Sequence, residues 1–307
     1  MRGLWLHLST KFGVSAVLPE RAAQSGMVSS LDFSRRFGGL ERLYGVTGAQ
    51  RVYTAHVAVV GIGGVGSWAV EALARSGVGN LTLIDLDHIS ESNINRQVHA
   101  LDGTLGQAKV LAMRERIAQI NPDCQVACIE EFVEPGNWPG LLPNGAFGGA
   151  LSGAHHAVHA VIDACDQVSA KTAMAAWAIQ SNTPFVSVGA AGGKRHAHLV
   201  DIDDLSRTTH DPLLAQVRNR LRKQHGAPRE GKKIGVTCVF SREAVMQPEA
   251  SFTVASEITG ERTDASAGDG SLNCHGYGSV VSVTATFGQC AAGWLMDQIS
   301  RTGPAKG

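Results

Sequence analysis

An α/β fold with a doubly wound sheet is the architecture this sequence predicts, on three observations. The apolar run at residues 57–60 enters the glycine-rich turn Gly61-Ile62-Gly63-Gly64-Val65-Gly66-Ser67 and leaves it in a helical pattern carried by Trp68, Val70, Leu73 and Ala74. A second run, Leu81-Thr82-Leu83-Ile84, ends in the acidic residue Asp85. Further apolar runs at 124–129, 158–163 and 184–188 alternate with helical stretches at 105–120 and 170–180. Continuous apolar runs are what strands buried on both faces look like, and strands alternating with helices build a parallel sheet.

The first strand, turn and helix read as a nucleotide site. Glycines allow the sharp turn and bring bare N–H groups toward a phosphate at the positive end of the following helix. Asp85, at the end of the second strand, is placed to bond ribose hydroxyls. Gly61, Gly63 and Gly66 also satisfy the dinucleotide fingerprint, so this unit leaves both a nicotinamide cofactor and ATP open. The next stretch discriminates. Ser92-Asn93-Ile94-Asn95-Arg96-Gln97 follows the acidic strand end, and Gly106-Gln107-Ala108-Lys109 opens the next helix. A pyrophosphate seated on a helix terminus needs no cationic pair. Cleaving a triphosphate at its α-phosphorus builds charge on non-bridging oxygens and on departing pyrophosphate, and fixed cations stabilise both. Arg96 as a planar fork and Lys109 as a compact charge meet that need, and together they favour ATP.

The helix at 105–120 is amphipathic, with Val110, Leu111, Met113, Ile117 and Ile120 facing inward, and Asn121-Pro122 ends it. Residues 136–159 are rich in Gly, Ala, Asn and Pro and contain His155, His156 and His159. No carboxylate or cysteine stands at ligand spacing among these histidines, so the stretch reads as a loop insertion. The strand at 158–163 delivers Asp163 and Asp166 to the carboxyl end, where open sheets bind ligands; Asp163 reads as a backbone-orienting group. After the strand at 184–188 comes the glycine run 189–193.

Between 207 and 233 the composition shifts. Arg207, Arg218, Arg220, Arg222, Lys223, Arg229, Lys232 and Lys233 are opposed only by Asp211 and Glu230. A basic face of this kind neutralises nucleic-acid phosphates, with a solvated helix face as the equal alternative. Cys238, in a strand at 234–241, stands between apolar neighbours and reads as a buried structural thiol. Residues 249–269 read as a polar loop. Residues 278–299 are apolar but interrupted by Ser279, Ser282, Thr284, Thr286, Gln289 and Asp297. They read as a core or dimer-interface helix, with peripheral membrane association left open.

The 307 residues suit one large α/β domain with an annex, or two small domains, and 44% apolar residues supply a sizeable core. A formal net charge of zero excludes a global field that would draw in nucleic acid. The six cysteines form no C-x-x-C pair, which argues against a zinc clip and a disulfide framework and fits a reducing cytoplasm. Residues 1–27 carry too few and too interrupted apolar residues for a secretory core. Disorder is expected there, and a true start at Met27 is the plain explanation.

GIGGVGS, LIDLD, SNINRQ, GQAK and Val161-Ile162-Asp163-Ala164-Cys165-Asp166 together resemble the ThiF/MoeB/ubiquitin-activating superfamily of ATP-dependent adenylating enzymes. Its tRNA threonylcarbamoyladenosine dehydratase branch is the nearer likeness, carried by residues 36–45, 93–99, Gln119-Ile120-Asn121-Pro122, 189–193, 235–241 and Thr284-Ala285-Thr286-Phe287-Gly288. The resemblance implies a Rossmann-like doubly wound mixed sheet of the ubiquitin-activating-enzyme type. The expected organisation is an extension at 1–32, an ATP-binding adenylation domain at 33–200, and a smaller substrate- and tRNA-facing region at 201–307 packed on the same core.

The resemblance also implies site roles. ATP would lie on Gly61, Gly63, Gly64, Gly66 and Ser67 with its ribose on Asp85 and its phosphates held by Asn93, Arg96 and Lys109. Asp166 matches the aspartate associated with Mg²⁺ and ATP. An N-terminal arginine, Arg42 by motif position or else Arg36, would reach the triphosphate of the other subunit in a homodimer. The run 189–193 would line the acceptor side. tRNA would take the basic face through Arg218, Arg220, Arg222, Lys223, Lys232 and Lys233, and a cysteine desulfurase or other sulfur-acceptor system is a further implied partner. The implied reaction adenylates the carboxylate of threonylcarbamoyladenosine at tRNA position 37 and cyclises it, releasing AMP and pyrophosphate. The alternatives are an activator of a sulfur-carrier or ubiquitin-like protein C-terminus, a nicotinamide dehydrogenase, and a non-catalytic ATP-dependent tRNA-binding module.

Overall fold

The computed structural model describes residues 33–143, 157–229, 231–247 and 277–301. The N-terminal extension 1–32, His155 and His156 of the insertion, Glu230, and the polar stretch 249–269 lie outside the described residues.

Seven strands form one sheet: β1 (His56–Val60), β2 (Asn80–Ile84), β3 (Gln125–Ile129), β4 (Ala160–Asp163), β5 (Phe185–Val188), β6 (Val200–Asp204) and β7 (Thr237–Ser241). Their order across the sheet is β3-β2-β1-β4-β5-β7-β6. All neighbours pair in parallel except β6, which runs antiparallel to β7. The chain winds outward from β1 through β2 and β3, then returns to the centre and winds the other way from β4. That reversal leaves a crevice beyond the carboxyl ends of β1 and β4, where such sheets take ligands.

The helices are α1 (Phe33–Phe37), α2 (Gly39–Thr54), α3 (Gly66–Arg75), α4 (Lys109–Ile120), α5 (Val168–Ser181), α6 (Pro212–Gln224) and α7 (Val281–Arg301). Along β1 the side chains alternate between two cores. Val57 and Val59 pack with residues of α2, α3, α4 and α7, whereas Ala58 and Val60 pack with α5 and α6. All five β1 residues are buried, as expected of a strand covered on both faces. α7 buries Val283, Phe287, Ala291 and Leu295 against this core. It lies close to α3 at Gly288, where a Cβ would stand 2.4 Å from the Val65 carbonyl oxygen. Among the described residues no helix is long and apolar enough to cross a membrane.

Several boundaries differ from the sequence expectation. The helix expected from 105 begins at Lys109, because Gly106 adopts φ +80° and breaks the chain direction. The strand expected from 234 begins at Thr237, after Gly235 turns at φ +89°. The N-terminal lead-in is two helices, and α2 is itself kinked at Gly45 (φ 72°, ψ 161°). Cys238 is fully buried on β7, and burial raises its thiol pKa well above the ordinary value.

Candidate active site

A cleft of about 380 Å³ opens beyond the carboxyl ends of β1, β2 and β4. The glycine turn shapes its floor. Gly61 adopts φ +84°, and a Cβ there would stand 2.8 Å from the Ala164 carbonyl and the Cys165 nitrogen, so only glycine lets β1 turn beneath the β4 loop. Gly63 faces open space, with nothing within 4 Å of an added Cβ. The N–H groups of Gly63, Gly64 and Val65 have no acceptor among the described residues. All three residues line the cleft where α3 begins. Unpaired donors at the positive end of a helix form a phosphate seat.

Two members of the expected set lie outside the cleft lining. Gly66 is a packing glycine, since a Cβ would stand 1.7 Å from the Gly61 carbonyl oxygen. Ser67 is fully buried; its N–H donates to Gly63 O (3.0 Å) and its Oγ accepts from the Val98 N–H (3.4 Å). Successive helix positions rotate by about 100°, so the residue after an outward-facing turn can point straight into the core.

Asp85 stands where β2 ends and is buried to 9% exposure. Its Oδ2 accepts from the Ile62 N–H at 2.6 Å and its Oδ1 from the Asp87 N–H at 2.9 Å, so it ties the strand end to the glycine turn. A carboxylate has about four acceptor positions, which leaves capacity for a ligand hydroxyl. Burial outweighs the attraction of Lys109 and lifts the Asp85 pKa above the ordinary carboxylate value.

Lys109 is the first residue of α4 and is buried, with its Nζ 2.7 Å from Asp87 Oδ2. Asp87, which the sequence reading left unassigned, therefore holds the lysine at the cleft wall; the second acid of LIDLD was the available signal. Arg96 packs its stem over Gly64, where a Cβ would stand 3.1 Å from Arg96 Cγ. Its Nη1 donates to Ser92 O (2.7 Å) and Asn95 Oδ1 (3.1 Å), and Trp68 Nε1 donates to its carbonyl (2.9 Å). One guanidinium corner is thus anchored while the side chain lines the cleft. Asn93 is buried, and its Oδ1 accepts from the Ser90 N–H at 3.2 Å. Ile84, Phe132, Val133 and Leu213 supply an apolar wall in the same cleft.

Asp163 and Asp166 part company. Asp166 is exposed in the cleft. Asp163 is fully buried and does more than orient backbone: its Oδ2 is 3.0 Å from Lys171 Nζ and accepts from Ser187 Oγ at 2.6 Å. Lys171 also donates to Val188 O at 2.7 Å, so one ammonium ties the ends of β4 and β5 together behind the cleft. Burial depresses the Lys171 pKa, but the adjacent carboxylate outweighs it and holds the lysine above its ordinary value. The sequence reading missed Lys171. A lone charge on an otherwise apolar stretch of α5 was the signal that could have found it.

The glycine run 189–193 borders the cleft through Gly189, Ala190, Ala191 and Gly192. Asp211 secures it: Oδ2 accepts from the Ala190 N–H (2.9 Å) while Oδ1 caps α6 through the Leu214 N–H (2.9 Å). Neither N-terminal arginine reaches the cleft of its own chain. Arg42 is exposed on α2, and Arg36 Nη1 donates to Ile120 O at 2.9 Å. Of the basic set, Arg218, Arg222, Lys232 and Lys233 converge on a second cleft, Arg220 lies beside Trp138 and Trp177, and Lys223 lines neither.

With this geometry, comparison with known proteins is informative. The ThiF family profile matches residues 34–306. The chain is 43% identical over 265 residues to the tRNA threonylcarbamoyladenosine dehydratase of Escherichia coli (strain K12), covering 85% of this chain and 92% of that one. It is 38% identical over 270 residues to the protein of the same name from Haemophilus influenzae, covering 87% and 94%. The solved structure of E. coli tRNA N6-threonylcarbamoyladenosine dehydratase in complex with ATP superposes with a TM-score of 0.73 at 37% identity, covering 91% of this chain and 99% of that one.

Proposed function

This chain belongs to the ThiF family, and from that premise we propose that it is an ATP-dependent dehydratase of threonylcarbamoyladenosine in tRNA. One observation carries the reading. Three backbone N–H groups without an acceptor among the described residues, Asn93, Arg96, Lys109 and the ribose-ready Asp85 all surround a single cleft of about 380 Å³. Such a set holds a nucleoside triphosphate and stabilises charge at its α-phosphorus.

The chemistry follows from what a carboxylate cannot do unaided. It is a poor acyl donor because its oxygen is a poor leaving group. Attack of the threonylcarbamoyl carboxylate on the α-phosphorus of ATP expels pyrophosphate and gives an acyl-adenylate. A nitrogen of the same ureido group then attacks the acyl carbon, closes a ring and expels AMP. Arg96 and Lys109 stabilise the growing phosphate charge, and the glycine-turn N–H groups hold the phosphates against the start of α3. Because both reacting groups sit on one nucleoside, proximity favours the second step. Cys165, at the cleft, has its thiol pKa raised well above the ordinary value by burial and by Asp163, so it makes a poor covalent relay.

Mg²⁺ fits the residues present. Among the described residues no three His, Cys, Asp or Glu side chains cluster as a protein cage, but Mg²⁺ needs only one or two carboxylates beside substrate phosphates. Asp166 is the carboxylate that would hold it, and the ion would supply charge neutralisation. The arginine missing from each cleft is Arg42 of the partner subunit in a homodimer. Exposed Leu43 (73%) and Val46 (70%) beside Arg42 on α2 support that reading. The basic residues of α6 and of residues 207 and 231–233 would face the tRNA.

The test is pyrophosphate release from ATP on adding tRNA that carries the modification, with nucleoside mass spectrometry of the product. ATP cleavage and a cyclised nucleoside are expected. Cleavage that requires a Gly-Gly-terminated carrier protein, with no response to tRNA, would instead make the chain a sulfur-carrier activator.

A further inference from the structure

We infer that a backbone phosphodiester of the RNA substrate is seated in a second cleft, walled by α6, by residues 205–209 and by residues 231–233. This rests on the reading of tRNA as substrate and adds where the strand is gripped. The cleft has a volume of about 490 Å³ and draws Arg207, Arg218, Arg222, Lys232 and Lys233 from three separate segments. Hydroxyls of Ser206, Thr208 and Thr209 share its lining. Several cations converging from separate segments, with the hydroxyls of Ser206 and Thr209 beside them, are the donor set of a phosphate site; the Thr208 hydroxyl is already given to Leu205 O at 3.1 Å.

Among the described residues, charge in the cleft finds few ion-pair partners. Among the described residues the one ion pair on these five cations joins Arg207 to Asp203 at 3.8 Å, and the arginine side chain is 63% exposed. Such a pair contributes little. The nearby Asp204 forms no ion pair with either lysine; its carboxylate accepts from the N–H groups of Ser206 (2.9 Å), Ile234 (2.9 Å) and Gly235 (2.7 Å), bonds that hold it ionised, so its one negative charge only partly offsets the five cations.

Those same bonds show that the hollow is built. Asp204 fastens the 205–209 wall to the segment that carries Lys232 and Lys233. Arg218 fastens that wall to α6, since its Nη1 donates to Leu205 O, Thr208 O and Thr208 Oγ1, each at 3.0 Å. Arg218 is therefore chiefly a positioning residue, and Arg207, Arg222, Lys232 and Lys233 carry the charge available to a ligand. Arg220, two positions from Arg218 and so roughly 200° around the helix, lies on the other flank.

The place of the cleft fits an RNA strand serving the nucleotide cleft. Thr208 and Thr209 line the basic hollow, while Leu213, five residues after Thr208, lines the nucleotide cleft. Between them Asp211 pins the segment to Ala190. The two clefts thus share one short, tethered wall, and a phosphate held on one side leaves its strand beside the acceptor side of the other. ATP has its own phosphate seat at the glycine turn, so this hollow answers to a different anion.

The experiment compares two charge-matched double variants of the full chain. Lys232→Gln with Lys233→Gln removes two of the five cations of the hollow, and Arg114→Gln with Arg301→Gln removes the same charge from exposed positions on α4 and α7. Affinity for threonylcarbamoyladenosine-bearing tRNA is measured by fluorescence anisotropy across a salt series, and ATP affinity by calorimetry. The cleft variant should bind tRNA roughly tenfold more weakly at low salt, with the slope of log affinity against log salt reduced by about 0.7–0.9 per lost phosphate contact. The control should stay within about twofold, and both should bind ATP as the parent does. Equal weakening by the two variants, or an unchanged slope in the cleft variant, overturns the inference. Failure of the parent to release pyrophosphate with that tRNA sinks the dehydratase reading instead, because the binding comparison does not depend on turnover.

Discussion

Replacing Lys171 with methionine keeps the length of the side chain and removes its charge from a site where Lys171 and Asp163 are both 0% exposed. The methionine cannot donate to Asp163 Oδ2 (3.0 Å) or Val188 O (2.7 Å), so a carboxylate is left in the core with no cation, held only by Ser187 Oγ, the Cys165 N–H (3.3 Å) and Cys165 Sγ (3.1 Å). Breaking a buried pair from one side costs about 3–5 kcal/mol, because the surviving charge is neither hydrated nor matched. Removing both charges avoids that penalty, so Lys171→Met combined with Asp163→Asn should recover more than half of the loss. Urea denaturation followed by tryptophan fluorescence reads both, and a shifted midpoint with an unchanged slope marks a change in stability alone. ATP binding should weaken in the single variant, since the lysine ties the strand ends that frame the cleft. A single variant within about 1 kcal/mol of the parent, or a double variant no better than the single, would refute the buried-pair reasoning.

Four further outcomes follow from the geometry. Arg96→Ala and Lys109→Ala should each lower AMP formation by roughly 10²–10³-fold while tRNA affinity holds, as read by single-turnover assays with radiolabelled ATP. Gly66→Ala forces a Cβ to within 1.7 Å of Gly61 O and should abolish ATP binding or folding. Gly63→Ala meets nothing within 4 Å and should fold normally by circular dichroism yet raise the KM for ATP. Stability should also fall in acid through His99, whose pKa is lowered to about 4, first by burial and then by Lys109 and Arg116. Its folded-state value lies below the unfolded 6.5, so its contribution is complete above pH 6.5 and is lost as pH falls toward 4, about 3 kcal/mol in all. His99→Leu should flatten that part of the pH–stability curve measured by chemical denaturation.

The sequence by itself determined the doubly wound sheet, because a strand covered on both faces must be apolar throughout and a phosphate-binding turn must be glycine-rich. It also determined the chemistry of the nucleotide cleft: Arg96, Lys109, Asp85 and Asn93 sit within about 45 residues of the turn, and local order along a strand–turn–helix unit fixes where such groups emerge. Tertiary structure alone decided what each polar group faces. Ser67 and Gly66 belong to the turn by sequence yet serve packing, since rotation of one helix step carried them inward. Asp163 needed Lys171 from the next helix and Ser187 from the next strand, contacts that exist only once β4 and β5 lie side by side. The basic stretch could not sort itself either. Arg218 and Arg222 lie on one flank of α6 and Arg220 on the other, and only the folding of residues 205–209 and 231–233 around the first flank turns a run of charge into a shaped hollow.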